Sequence, residues 1–514
     1  MGKTKYYRKG HITVFLSLIL TLILSVVCTT IESARLQGVR MQLQNITDMG
    51  VFSAFGEYNR ELLELYDLFF LDMGYGTADG SMERVNARIK EFGEYNTDVN
   101  KNMETLSLLY KSDMWRSSVE SVTSEKYVLA TDDKGEAYYS QAVSYMKNKL
   151  GISLAESLLG QYDESVVKKQ ESFKSHKEEE SGGESMIAGA KEKYQSEYDA
   201  ALKDADGDES KVEMEKPSEA SNPADTIKSI QSSPILELVL EDSSALSDKK
   251  ISNFSEVASK RELEKGDGAF SGEEYNVLNK ALFNEYLFEK FPDFLSGETE
   301  SGKGIQYQAE YILCGKESDR QNLETVVNKL LLMREGINFV YLLTDTVKRQ
   351  EALSLATLIV GYLGPVFVAI LEMALLLAWA FAESVIELRM LMSGKKVALI
   401  KNAGNWNLSL SNLENLSELL DSGEEDEDGI DYRGYLKILI FFEADNKKIM
   451  RSLDLIERTI QLESPNFKID NCTQSFTASM QYRTDSLFLR LPFQALERGS
   501  ESYSHTVTRD FSYY

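Results

Sequence analysis

ITVFLSLILTLILSVVCTT, residues 12–30, is a run of nineteen residues without a charge. At 1.5 Å of rise per residue a helix of that length spans roughly 28 Å, close to the ~30 Å hydrocarbon core of a bilayer. Residues 1–10, MGKTKYYRKG, carry Lys3, Lys5, Arg8 and Lys9 and no acid. Basic residues before an apolar span place the amino terminus in the cytoplasm and the body outside. A cleavable leader wants small residues at −3 and −1 of its cleavage site. Glu32 occupies −3 of a site after Ala34, and Val27 stands before Cys28, so the run reads as a retained anchor.

The apolar pattern outlives the anchor. Ile31, Leu36, Val39, Leu43, Ile46, Met49 and Phe52 recur at spacings of three to five with charges between them. That is an amphipathic helix continuing the span as one rod. The whole chain of 514 residues has a formal net charge of −26, from 82 acidic against 56 basic residues. Such a balance excludes nucleic acid as a partner of the body and serves solubility. Three cysteines, Cys28, Cys314 and Cys472, fit neither a zinc site nor a disulfide framework. Histidine is scarce, with His11, His176 and His505, and no histidine dyad stands out, so no catalytic residue and no cofactor is assigned.

Residues 55–76 read as a helix with Leu62, Leu63, Tyr66, Phe69 and Phe70 on one face, stopped by Gly74 and Gly76. Residues 84–112 and 136–164 read as two more helices, giving a bundle on the rod. Residues 165–233 are rich in charge, Ser, Gly and Pro, which predicts a flexible insert with a short helix near 188–203. Asp204, Asp206, Asp208 and Glu215 within it follow the spacing of a calcium loop. However, Glu209 holds the position where the turn needs glycine, so a solvated acidic run is the favoured reading; SGEEDEDGID at 422–431 is read the same way.

ILELVL, from Ile235, predicts a short strand, 273–290 an aromatic-rich helix closed by Pro292, and Tyr307–Cys314 a strand ended by Gly315. Ser318 and Gln321 form a capping box for a helix running to 350, with Leu323, Val326, Val327, Leu330, Leu331, Ile337 and Tyr341 on its face. Ala352–Ala382 is long and apolar, but Gly361, Gly364 and Pro365 divide it. Glu372, Glu383 and Glu387 share one stripe of the second piece, which suits a buried or membrane-abutting hairpin better than lipid on all sides; two spanning helices remain the alternative. KKVALIKNAGNWNLSLSNL predicts two short strands or an extended loop with Trp406 as an anchor. Helices follow at 431–443 and 445–462, then a small antiparallel sheet in the Thr-, Ser- and Tyr-rich tail.

The expected fold class is therefore α+β, mainly α, with a long N-terminal transmembrane helix extending into a helical ectodomain and small antiparallel β elements toward the C-terminus. The expected segments are a basic tail 1–10, an anchor 11–30, a helical bundle 31–164, an acidic insert 165–233, a mixed segment 234–350, an apolar hairpin 351–388, a helical segment 389–462 and a β region 463–514.

The pair Lys9–Gly10, the Thr- and Val-led apolar run and the protruding helix together resemble the amino end of pilin-like proteins. The likeness is to pseudopilin-like components of Tad/Flp pilus systems. In prepilins a peptidase cuts after the glycine, here Gly10, and a glutamate follows at the fifth mature position, where this chain has Phe15. The resemblance so implies an accessory component rather than a filament subunit. KGHITVFLSLIL with IESAR at 31–35, YQAEYILCGKESDRQNL at 307–323 with Arg334 and Asn338, and LMSGKKVALIKN at 391–402 followed by Trp406 also resemble an uncharacterised family of clostridial membrane proteins. That likeness implies the membrane and inner-membrane pilus-assembly or pilin-like proteins as partners, and carries no catalytic residues. Two alternatives stay open: a cell-envelope hydrolase with a carboxylate pair, and a transmembrane sensor.

Overall fold

The computed structural model describes residues 10–98, 113–150, 183–296, 304–488 and 502–514. The basic tail 1–9, the expected helical stretches 99–112 and 151–164, and the start of the insert, 165–182, lie outside the described residues. The fold is α+β and mainly helical. It divides into two compact units: 1–145, 260–273 and 459–514 form the first, and 146–259 with 274–458 the second.

Unit 1 is built on α1 (Gly10–Phe55), one unbroken helix of 46 residues. No glycine or proline pair interrupts it, and its threonines turn their hydroxyls back to carbonyls one turn earlier, as Thr30 does to Val26 at 2.6 Å. Its apolar first half is exposed, whereas its second half buries Val39, Leu43, Ile46, Val51, Ala54 and Phe55. Met49 and Phe52, expected on the inner face, are exposed. At 3.6 residues per turn Gly50, Val51, Ala54 and Phe55 fall on that face instead.

That face packs on an antiparallel sheet. β3 (Cys472–Asp485) is its centre. It pairs with β2 (Ser117–Leu129) from Ser117↔Thr484 to Leu129↔Thr473, and with β4 (Ser502–Ser512) from Ser475↔Ser512 to Asp485↔Ser502. The two-residue β1 (Leu71–Asp72) joins it at Thr473 and Cys472. Phe476, Ala478, Met480 and Tyr482 alternate toward the helices, where α3 (Met82–Thr97) adds Val85 and Ile89. The tail sheet is present as expected, but its central strand recruits partners from early in the chain.

β2 therefore corrects the all-helical expectation for 31–164. Its Val119, Val122, Thr123, Tyr127 and Val128 favour a pleated surface, and pairing with β3 decides the matter. The single helix expected over 55–76 is corrected as well. α2 (Arg60–Tyr66) ends at Asp67, which takes the left-handed conformation (φ 55°) and donates its N–H to Leu62 and Leu63 carbonyls. Aspartate tolerates that conformation, so the chain turns there into β1. α4 (Glu136–Leu150) begins where expected, and its first ten residues belong to unit 1.

In unit 2, α5 (Gly183–Asp204) covers the short helix expected near 188–203, whereas α6 (Pro223–Gln231) lies in the stretch expected to be flexible. Asn222 caps α6 and Ala224 and Ile227 are buried, so one apolar turn is enough to dock it. ILELVL forms a helix, α7 (Ile235–Val239), not a strand. Its buried Ile235, Leu236 and Val239 have helical spacing, and a short apolar run carries no periodicity that separates the two states. α8 (Val277–Lys290) follows as expected. The strand expected at 307–314 is a helix, α9 (Gln308–Cys314), buried on every side, which is why its residues do not alternate. Gly315 ends it at φ 64°, as read.

α10 (Asp319–Thr344) starts at the Ser318 cap, whose hydroxyl accepts from the Gln321 N–H. It stops short of 350, because Asp345 turns the chain and caps α11 (Thr346–Val360) by accepting from the Val347 and Lys348 N–H groups. α12 (Pro365–Met392) follows Gly364 and is the core helix of the unit, packed against α5, α6, α7, α10 and α11. Its apolar length comes from burial inside protein along most of its course. α13 (Tyr432–Phe442) and α14 (Asp445–Ile460) complete the expected pair. Between α12 and α13 the chain is neither two strands nor a fully extended loop: short helical turns at Ala403–Asn405, Leu410–Asn415 and Leu416–Leu419 interrupt it, with one isolated bridge, Val397↔Ile430.

Candidate functional site

Two acids four residues apart on an apolar helix share one face, and so do Arg334 and Asn338 on α10. In unit 2 these faces meet. Arg334 lays its guanidinium on Glu387, with Nε donating to Oε2 at 2.8 Å and Nη2 to Oε1 at 2.7 Å. Its Nη1 donates to the Ala398 carbonyl and the Tyr435 hydroxyl, both at 2.8 Å. Asn338 Nδ2 donates to Glu387 Oε2 at 2.8 Å and Ser384 Oγ at 2.9 Å, while Asn338 Oδ1 is buried without a partner.

The loop after α12 supplies the second cation. Lys401 Nζ donates to Glu383 Oε1 and Glu387 Oε1, each at 2.6 Å, and to the Asn405 carbonyl. Glu383 also accepts from the Asn407 N–H, the Asn407 side chain and the Leu408 N–H, each at 2.9 Å. Arg334, Glu383 and Glu387 are at most 1 % exposed and Lys401 8 %. Two cations and two anions balance, which is the condition for keeping charge in a core. Burial alone would raise the Glu387 carboxyl, but Arg334 and Lys401 outweigh it and hold it at about 2. Burial pushes Glu383 up, against the pull of Lys401.

Over this network sit two indoles. Trp379 and Trp406 meet edge to face at 5.5 Å, and both send their N–H to the Leu408 carbonyl. Lys348 Nζ lies 4.7 Å from each ring centroid, and Lys401 Nζ 5.2 Å from Trp406. Trp406 is thus the anchor expected of it, clamping the loop through rings and cations together.

Chemically the arrangement is a lock. A hydrolytic carboxylate pair needs one oxygen free for substrate or water, and all four carboxylate oxygens of Glu383 and Glu387 accept hydrogen bonds within the protein. Glu372, the third member of the expected stripe, pairs with Arg349 at 3.0 Å, away from the other two.

Unit 1 holds a smaller counterpart. One turn beyond the charge-free run, Arg35 Nη2 meets Glu32 Oε1 at 2.6 Å, both buried. Arg35 also donates to the carbonyls of Met114, Trp115 and Asp485 at 2.8–3.0 Å. Glu32 accepts from the N–H groups of Leu487 and Phe488. Burial would raise the Glu32 carboxyl, but Arg35 and these N–H groups bring it below its ordinary range. The motif IESAR therefore ties the entry of β2 and the exit of β3 to the helix.

The remaining sequence candidates stay apart. Gly10 is the first residue of α1. Asp204 ends α5, Asp208 caps a turn through Ser210, and Asp206 and Glu215 are exposed. Among the described residues no group of acids, His or Cys could hold a metal ion. Sequence reading missed Lys401 as a partner of Glu383 and Glu387, and missed Glu310; the i, i+4 acids in an apolar helix were the available signal for the first.

A model of a family of unknown function, DUF5702, matches residues 213–484. No curated protein and no solved structure matches the chain. The matched region is more than half of the chain and contains the whole Arg334–Glu387–Lys401–Glu383 network and all but the last residue of the central strand β3. The chain belongs to this family of unknown function, DUF5702.

Proposed function

We propose that this chain is a membrane-anchored, extracytoplasmic and non-enzymatic protein, an accessory component of a Tad-like pilus or a related envelope apparatus. The observation that supports the reading is the division of labour along α1. Residues 11–31 form an exposed apolar helix long enough to cross a membrane, and the same helix then becomes the spine of a four-stranded antiparallel sheet. A rod that serves lipid with one half and a sheet with the other is the layout the pilin-like resemblance implies. Phe15 in place of the prepilin glutamate and the buried charge lock favour a support role over polymerisation or catalysis. Basic residues 3–9 orient the body outward.

Affinity capture of the full chain from membranes in mild detergent tests this. Pilin-like and inner-membrane assembly proteins are the expected companions, and recovery of neither sinks the proposal.

A further inference from the structure

The turn between α11 and α12 is unlike the rest of the surface. From Ala352 to Leu371 the chain has twenty residues without a charge, in a protein in which 27 % of residues are charged. The run begins just after exposed Glu351, and its two ends are tied by Arg349 and Glu372, paired at 3.0 Å. Between them the hairpin narrows through Gly361–Leu363 to a tip that exposes Leu358 (64 %) and Val366 (65 %). Leu355, Leu363, Phe367 and Ile370 are half-buried around them.

Beyond exposed Ser354, polar groups near this tip bond within the hairpin. Thr357 Oγ1 donates to the Leu353 carbonyl at 2.8 Å and so presents its methyl group. The Gly364 N–H bonds the Gly361 carbonyl at 3.0 Å, and the Val368 N–H the Gly364 carbonyl at 3.3 Å. Tyr362 stacks obliquely on Tyr194 at 4.8 Å, an aromatic pair of the kind that suits a membrane interface. A protein-binding patch is an apolar centre within a polar rim; here Leu358 and Val366 stand exposed on a charge-free tip, and the charges nearest it along the hairpin are Glu351 and the Arg349–Glu372 pair at its base.

We infer that the tip at 352–371 dips into the head-group and acyl boundary of a lipid bilayer, giving the protein a second membrane contact besides α1. The inference rests on the anchoring proposed above, which puts a bilayer within reach of this chain. From Arg349 to Leu358 the helix rises about 14 Å, so an insertion of ~5–10 Å leaves the Arg349–Glu372 pair near the phosphates. With the body strongly acidic and the tip uncharged, the contact is driven by apolar burial and needs no anionic lipid.

The full chain, reconstituted in phosphatidylcholine vesicles, carries a photoreactive benzoylphenylalanine at Leu358, Val366, Val347 or Ile19 in turn. Val347 is exposed at the base of the same hairpin, and Ile19 lies in the anchor. Lipid adducts at 358 and 366 several-fold above those at 347 are expected, with adducts at 19 as well. Adducts at 358 and 366 no more frequent than at 347, or adducts there to protein instead of lipid, overturn the inference while adducts at 19 leave the anchor intact. An absence of lipid adducts at 19 overturns the anchor reading and this inference with it.

Discussion

Arg334 closes on Glu387 through two parallel N–H···O bonds of 2.8 and 2.7 Å, with neither side chain reaching water. Removing Arg334 leaves Glu387 and Glu383 to share one cation, Lys401, in the core. Arg334→Met is expected to lower unfolding stability by about 3–5 kcal/mol. Arg334→Lys is expected to lose much of the same amount, because an ammonium cannot reproduce the two-pronged contact. The double change Arg334→Met with Glu387→Leu leaves Lys401 paired with Glu383 and should recover part of the loss. Denaturant unfolding of the three variants checks this, and a double variant less stable than Arg334→Met contradicts it.

How much of this was open to reading from the residues follows from where each partner lies. The Ser318 cap, the Gly315 stop, the break at Gly361–Pro365 and the stripe of acids on 383 and 387 are local, and periodicity with cap chemistry finds them. Lys401 lies on a loop with no periodicity, and its membership in the core depends on a contact only the folded chain makes. β2 escaped for a related reason: its residues suit a strand, but its partner is more than 340 positions away, as Thr473 bonding to the Val128 carbonyl illustrates. α9 misread as a strand because a run buried on all sides shows neither period, and α7 because five residues are too few to separate the two.

The Glu32–Arg35 pair predicts an asymmetry. Arg35→Met removes three carbonyl contacts and leaves Glu32 buried, so a loss of about 3–5 kcal/mol is expected. Glu32→Gln leaves Arg35 its three carbonyls and keeps a polar group for the Leu487 and Phe488 N–H groups, so about 1–3 kcal/mol is expected. The pH dependence has a definite sign. The folded carboxyl is depressed, so its contribution is present above its unfolded range near 4.5 and is lost as pH falls through the lower folded value. Acid unfolding of the detergent-solubilised chain should therefore shift upward in pH for Arg35→Met.

Gly93 sits where α3 crosses the sheet. A Cβ there would lie 2.4 Å from Met480 Cε and 3.1 Å from Val119 Cγ2. Met480 is flexible and can yield, and alanine improves helix propensity by about 1 kcal/mol over glycine. Gly93→Ala is therefore expected to be close to neutral. Gly93→Val adds two methyl groups to a filled contact and loses propensity, so a destabilisation of about 1–3 kcal/mol is expected. Thermal unfolding of both variants distinguishes this from a loose interface, in which valine would be as harmless as alanine.

Glu310 provides the last test, because its carboxyl is fully buried with no cation against it. Burial pushes it up to about 7, against the Phe294 N–H at 2.9 Å and the Tyr432 hydroxyl at 2.7 Å, both on Oε1. Oε2 has no partner. Asp293 nearby raises it further and is itself held by Arg433 at 2.7 Å. A carboxyl raised in the fold binds its proton more tightly there than in the unfolded chain. Stability from this group is therefore full below the unfolded value near 4.5 and declines as pH rises through about 7. The difference corresponds to roughly 3 kcal/mol between pH 4.5 and 8. Glu310→Gln keeps the shape and an acceptor without the titration, so its stability should fall less than the parent's across that window. Urea unfolding at pH 5 and pH 8 reads this directly, and equal pH slopes for the two proteins would mean that Glu310 is ionised in the fold at neutral pH.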